Sequence, residues 1–271
     1  MQRIGVPNLL LLGRYNYTRA QPGLAVHAHQ TTMEICFLVK GRQTYRIGQH
    51  DYALRGGDVF LTFPNERHST GESPEEKGTL YWLILQMPRA GRPFLGLPAA
   101  IGQPLARALM RVKSRHFRGA WEMKDWLDDI LVAYHDRRSP LRAAIIANRV
   151  GAFLLCVIEC SYATPIGPRA DRFRDVLLHI ENHLTEPLTI PDLAARAGLS
   201  VSRFKVRFKE ETGVPPIEYV QRAKIEDAKR RLVRGASVTE TAFALGFPTS
   251  QYFATVFKRF TGHSPSAQRR D

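Results

Sequence analysis

The chain has 271 residues, 44% of them hydrophobic, and a net charge of +14, enough for two domains with ordinary soluble cores. Its 3 cysteines are too few for a disulfide framework. The basic excess lies beyond residue 87: 13 Lys and Arg against 6 Asp and Glu over 88–170, and 17 against 12 over 171–271, which makes a polyanion such as nucleic acid the first partner to consider.

From about residue 5 to 87 the chain reads as β-structure. "EICFLVKG", "QTYRIG", "GDVFLTF" and "TLYWLILQM" are short runs rich in β-branched and aromatic residues, and "KGR" and "RGGD" read as turns between them. Close spacing of short strands predicts a barrel or sandwich. The start carries Arg14 after a short apolar run, unlike a signal peptide, and no uncharged run reaches membrane-spanning length.

From about 102 to 162 the period changes to helical. "PLARALMRVKSRHF", "WEMKDWLDDILVAYHD" and "LRAAIIANRVGAFLLCVIECS" predict three helices. Trp126, Ile130 and Tyr134 recur on one face of the second. Cys156 and Cys160 share a face of the third, as small apolar residues. "SYATPIGPRAD" then reads as a linker near 163–170.

Beyond the linker the chain repeats itself. "FKEETGVPP" from Phe208 returns as "FKRFTGHSP" from Phe257. Upstream, Thr189-x-x-Asp192 matches Ser237-x-x-Glu240, each a helix-opening capping pattern. Ala194-x-x-x-Gly198 matches Ala242-x-x-x-Gly246, a small residue for close helix crossing and a glycine to end the helix. Phe204 and Phe208, like Phe253 and Phe257, stand four apart as buried stripes. Helix, glycine turn, helix is the helix-turn-helix pattern, here over 188–213 and 237–262. "PIEYVQRAKIEDAKRRLVRG" between them reads as one helix of about 27 Å, near the roughly 34 Å between successive major grooves on one face of B-DNA.

These two modules, above all "GFPTSQYFATVFKRFTGHSP", and the helix joining them resemble the AraC/XylS family of bacterial transcription regulators over residues 173–270. The resemblance implies that the second helix of each module enters the major groove. The positions off the phenylalanine stripes then face DNA: Ser202, Arg203, Lys205, Val206 and Lys209 in the first module, and Ser250, Gln251, Thr255 and Lys258 in the second. Arg and Lys suit guanine or phosphate, and Gln suits adenine.

In the β region, His27-x-His29, Glu34 and Gly41, followed by Pro64 and His68, resemble the cupin signature. It departs at Gln21, where a glycine is usual, and after Pro64. Residues i and i+2 of a strand face the same way, so His27 and His29 pair, as do Glu34 and Cys36. Three readings stand for this set. His27, His29, Glu34 and His68 suit a divalent metal (Zn, Fe, Mn or Ni). His29, Glu34, Tyr45, Arg46, His68 and Trp82 suit a metal-free ligand pocket, and plain barrel packing suits either set.

The expected fold is α+β multidomain: a cupin-like sensing barrel over 1–100, a helical dimerisation or packing segment over 101–162, the linker 163–170, and an all-α DNA-binding domain over 171–271. The family resemblance implies a cytoplasmic regulator, not an enzyme, that binds promoter DNA and answers a small-molecule effector such as a sugar. It also implies activation, a homodimer and a contact with RNA polymerase. The alternatives are a metal-dependent cupin enzyme and a metal-sensing regulator.

Overall fold

The computed structural model describes residues 5–162 and 173–268; the expected linker at 163–170 lies outside them. The chain forms two compact units. Within the described residues the first takes 5–16, 25–71 and 79–162, and the second takes 17–24, 72–78 and 173–268.

The first unit is a seven-stranded sheet whose core is shared with three helices. Its strands are β1 (Leu9–Tyr17), β2 (Thr32–Ile47), β3 (His50–Arg55), β4 (Asp58–Thr62), β5 (His68–Ser69), β6 (Gly78–Gln86) and β7 (His116–Arg118). The path runs β1-β6-β2-β4-β7, with β3 and β5 also paired to β2. The helices are α1 (Ala99–Met110), α2 (Glu122–His135) and α3 (Arg142–Tyr162).

β2 organises this unit. Its first half pairs with β4 and its second half with β3 and β5. "KGR", read from sequence as a turn between two strands, instead lies inside this one 16-residue strand. Gly41, at φ 106, supplies a bend that only glycine adopts without strain. The bend also shifts the side-chain alternation. Met33, Ile35 and Phe37 join the core formed with Leu109 of α1, Leu127 of α2 and Phe153 of α3. Glu34 and Cys36 take the opposite face, and beyond Gly41 so do Gln43 and Tyr45: the Cys36 thiol lies 3.5 Å from the Tyr45 hydroxyl.

The first predicted helix ends early. Ser114 and Arg115 lie in an irregular bend, and His116–Arg118 form β7, an edge strand on β4. Asp58 explains the switch: its carboxylate takes His116 Nε2 at 2.9 Å and Arg118 Nη1 at 3.4 Å, so β7's polar side chains are satisfied at the sheet edge. On α2, Met123, Leu127 and Ile130 are buried, and Trp126 and Tyr134 flank them half-buried. Cys156 and Cys160 do share a face, Sγ to Sγ 3.9 Å. Burial and the neighbouring Cys160 push the Cys156 thiol up to about 12, so it stays an unreactive thiol at neutral pH. α3 is long and apolar enough, by length and composition, to cross a membrane. Its Ile146, Val150, Phe153, Leu154 and Val157 are buried in the unit's own core.

The second unit is helical: α4 (Arg174–Asn182), α5 (Ile190–Arg196), α6 (Val201–Thr212), α7 (Pro216–Val233), α8 (Val238–Ala244), α9 (Ser250–Thr261) and α10 (Pro265–Gln268). Phe204, Phe208, Phe253 and Phe257 are fully buried in one core with Phe173, Ile225 and Leu232. The short segments 17–24 and 72–78 belong to this unit. They pair with each other at Gln21 and Glu75. Lys77 Nζ reaches Glu218 of α7 at 2.8 Å, and buried Arg222 pairs with both Glu76 and Glu218.

Candidate nucleic-acid interface and histidine cluster

Each predicted module forms from its local signals. Thr189 and Ser237 are N-caps, their hydroxyls accepting from the backbone N–H of Asp192 and Glu240. Only the second is a full capping box, since Glu240 returns a bond to Ser237 N at 3.1 Å. Gly198 and Gly246 take φ of 65 and 69. The residue after each closes the helix on the alanine five back: Leu199 N to Ala194 O and Phe247 N to Ala242 O, both 3.0 Å. The turn before α9 is one residue longer than the turn before α6, yet Ser200 and Thr249 both cap the helix that follows. Sequence reasoning passed over these two caps; a Ser or Thr just before each phenylalanine stripe is their signal.

The echo itself is a helix stop. Thr212 Oγ1 lies 2.8 Å from Phe208 O, and Thr261 Oγ1 lies 2.9 Å from Phe257 O. Gly213 and Gly262 follow with φ of 77 and 86, the left-handed turn that ends a helix cheaply only with glycine.

With the phenylalanines buried, the opposite faces of α6 and α9 are open. Ser202, Arg203, Lys205, Val206 and Lys209 are exposed, as are Gln251, Thr255 and Lys258, and Ser250 is half-buried. Arg207 joins the exposed set on α6, 3.5 Å from Glu210. Tyr252 joins it on α9, its hydroxyl 3.4 Å from Gln221 of α7. The first surface is mostly cationic and the second mostly neutral and polar.

In the first unit, His27 and His29 lie not on the expected strand but in the irregular segment before β2; His27 makes an isolated bridge to His68 of β5, exchanging N–H···O bonds of 3.1 and 2.9 Å. Their rings lie 4.2 Å apart, centroid to centroid. His29 O accepts from Asn65 N at 2.8 Å, which fixes the approach of this loop. Asn65 stands at φ 67, so asparagine, which tolerates that region, does the turn work of the glycine usual after the proline. Glu66 braces the same turn, accepting from Phe63 N at 2.8 Å and from Arg115 at 2.6 and 2.9 Å. On β2, Glu34 Oε2 lies 3.1 Å from His68 Nε2 and 3.7 Å from His29 Nε2.

Two models of known families match the chain. The AraC-like ligand binding domain covers residues 14–147, and a helix-turn-helix domain covers 193–271. The chain belongs to the AraC/XylS family of transcription regulators. Among proteins of similar sequence, YfiF of Bacillus subtilis, described as an uncharacterized HTH-type transcriptional regulator, is 28% identical over 257 residues, 90% of this chain and 78% of its own. The transcriptional activator RhaS of Pectobacterium carotovorum is 24% identical over 245 residues, 87% of this chain and 84% of its own. Among solved structures, an apo ToxT variant from Vibrio cholerae aligns over 96% of both chains at 16% identity, with a TM-score of 0.39.

As an AraC-type regulator the protein binds DNA and carries a ligand-binding domain, and the matches are to regulators, not to enzymes. The predicted ligand residues divide in this domain. His29, Glu34 and His68 meet directly. Tyr45 joins them through Cys36, whose Sγ is 3.8 Å from Glu34 Oε1. Its ring stacks on Phe60 at 4.9 Å. Burial, then Cys36, drives the Tyr45 pKa well above its ordinary value, so it is a neutral hydroxyl. Arg46 is next in sequence and so turns to the other side, where Asp51 holds it at 2.6 Å. Trp82 lies flat on Gly13, where no Cβ would fit, and 6.3 Å from Tyr15. Tyr15 and Gln43, whose side chains are 3.4 Å apart, extend the polar line that sequence reasoning missed. The bend at Gly41 hides them, because strict alternation from Glu34 points Gln43 the wrong way. Burial lowers the pKa of His29. Burial also opposes charge on His68, but hydrogen bonds to Glu34 and to the Glu66 carbonyl outweigh it and raise its pKa.

Proposed function

We propose that this regulator reads two unlike DNA segments with α6 and α9. The supporting observation is that one capped, phenylalanine-anchored frame occurs twice with different exposed faces. Arg203, Lys205 and Lys209 contact phosphate or guanine from α6, with Ser202 and Val206 beside them. Gln251 contacts a base edge from α9, with Ser250, Thr255 and Lys258 around it. α7, 18 residues long and so about 27 Å, spaces the two helices for successive major grooves. Promoter DNA is the target, which places the protein in the bacterial cytoplasm, and activation through RNA polymerase is the output, in keeping with the activator RhaS among its relatives.

The effector is a small polar molecule taken on the sheet face that carries Tyr15, Glu34, Cys36, Gln43 and Tyr45. Leu141, Ile145 and Leu155, exposed apolar residues at α3, favour a homodimer, whose paired modules would multiply affinity. Electrophoretic mobility shifts against the protein's own promoter region across a salt series test the DNA reading. A steep loss of affinity with salt is expected, and a flat response would sink it. Thermal shifts with a panel of sugars and organic acids test the effector, and Glu34→Gln should abolish the stabilisation.

A further inference from the structure

Four side chains of the first unit converge in a way that DNA reading does not require. The ligand-capable atoms of His27, His29, Glu34 and His68 all lie within 4.8 Å of one another. The backbone does the gathering: His27 is bridged to His68 of β5 from the irregular segment before β2, His29 follows two residues on, and Glu34 approaches from β2.

The proton positions sharpen the point. His27 Nδ1 lies 2.9 Å from Ala25 O, and His68 Nδ1 lies 3.1 Å from Glu66 O. A carbonyl only accepts, so both Nδ1 atoms carry their ring's proton and each neutral ring presents its lone pair at Nε2. His68 Nε2 nevertheless stands 3.1 Å from a carboxylate oxygen, Glu34 Oε2. The other Glu34 oxygen faces the Cys36 thiol. Lone pairs aimed at one another need a positive charge between them. A second proton on His68 would serve that one contact. It gives His27 and His29, with ring centroids 4.2 and 5.7 Å from His68, no reason to turn to the same place.

A metal ion accounts for all four. Ligand atoms about 2.0–2.2 Å from a tetrahedral ion stand about 3.3–3.5 Å apart, and the 3.1 and 3.7 Å found here lie on either side of that range. Imidazoles whose Nδ1–H is held by a carbonyl are the usual supported form of a metal ligand. We propose that His27, His29, Glu34 and His68 bind one divalent first-row transition ion. Three nitrogens and one oxygen suit zinc, iron, nickel or manganese and give no preference to copper(I) or calcium. The ion would pin the loop bearing His27 and His29 to β2 and β5. Ion binding does not depend on the identity of the effector or on DNA reading.

The test uses the full chain, stripped with a chelator and titrated with zinc by calorimetry, then with cobalt(II) by visible absorption. One ion per chain, ligand-field bands from cobalt and a raised melting temperature are expected. Glu34→Gln and His68→Gln should each weaken zinc binding by more than about 100-fold, since loss of even an outer-shell partner costs about 10–100-fold. His29→Gln, on a partly exposed side chain, repeats the test should the buried His68 variant misfold. Cys156→Ser with Cys160→Ser should leave zinc binding intact. Folded wild-type protein that takes up neither ion overturns the proposal, as does zinc uptake lost only in the cysteine double variant. Promoter affinity measured on the same samples is a separate readout. Absent metal with DNA binding intact defeats this proposal alone, and bound zinc without DNA binding defeats only the regulatory one.

Discussion

The two helix-turn-helix modules are the same object below the surface and different objects above it. Both close α5 and α8 on an alanine five residues back, both bury two phenylalanines four apart, and both end on a Thr-Gly stop. Above that frame α6 presents Arg203, Lys205, Arg207 and Lys209, whereas α9 presents Gln251, Tyr252 and Thr255 with Lys258. Packing constrains the inner residues to one solution. The outer ones are exposed and bury no side chain in the core, so packing leaves them free to differ between the modules. The proposed division of labour is charge contacts from the first module and hydrogen-bond pattern from the second.

The largest effects should fall on the shared frame. Phe208→Ala and Phe257→Ala should each destabilise the helical unit by about 3–5 kcal/mol, measured by urea denaturation. Costs that differ widely would break the equivalence of the two modules. Next come the outer faces. Arg203→Ala or Lys205→Ala should weaken binding about equally on all sequences and lower the slope of log K against log salt by about 1 each. Gln251→Ala should cost about 1–3 kcal/mol on the preferred sequence and leave the slope unchanged. The same response from both helices would erase the proposed division of labour.

Smaller still is the difference between caps. Ser237→Ala removes the Oγ that accepts from Glu240 N at 3.1 Å but keeps the Ser237 N–H bond to Glu240, and should cost about 1 kcal/mol; Thr189→Ala removes the Oγ1 that accepts from Asp192 N at the longer 3.3 Å and should cost slightly less, by thermal denaturation. The smallest effect concerns the spacer α7. Burial tends to raise the Asp227 pKa, but hydrogen bonds from Arg231 and Arg230 outweigh it and lower it. A carboxylate with a lowered folded pKa contributes stability above its unfolded value of about 3.9, and that contribution is lost as pH falls through the folded value. Asp227→Asn should therefore flatten the acid limb of the stability profile and leave both DNA faces untouched.

The helical unit was nearly transparent in the sequence because its signals are short-range. A cap speaks to the residue three on, a stripe to the residue four on, and a glycine to its own φ. The sheet unit was less so. His116–Arg118 carries no sign of being a strand, since what makes it one is its pairing with β4 and Asp58 some sixty residues away. The "KGR" turn failed for a related reason: glycine at positive φ serves a bend within a strand as well as a reversal between two. The sequence alone thus determined two helix-turn-helix modules, the caps Thr189 and Ser237, the buried phenylalanines and the candidate ligands His27, His29, Glu34 and His68. Only the tertiary structure decided that those four meet, that Tyr45 belongs with them through Cys36, and that Arg46 turns away to Asp51. Strand pairing between distant segments and a one-residue shift in alternation at Gly41 settle those points, and neither leaves a local trace in the chain.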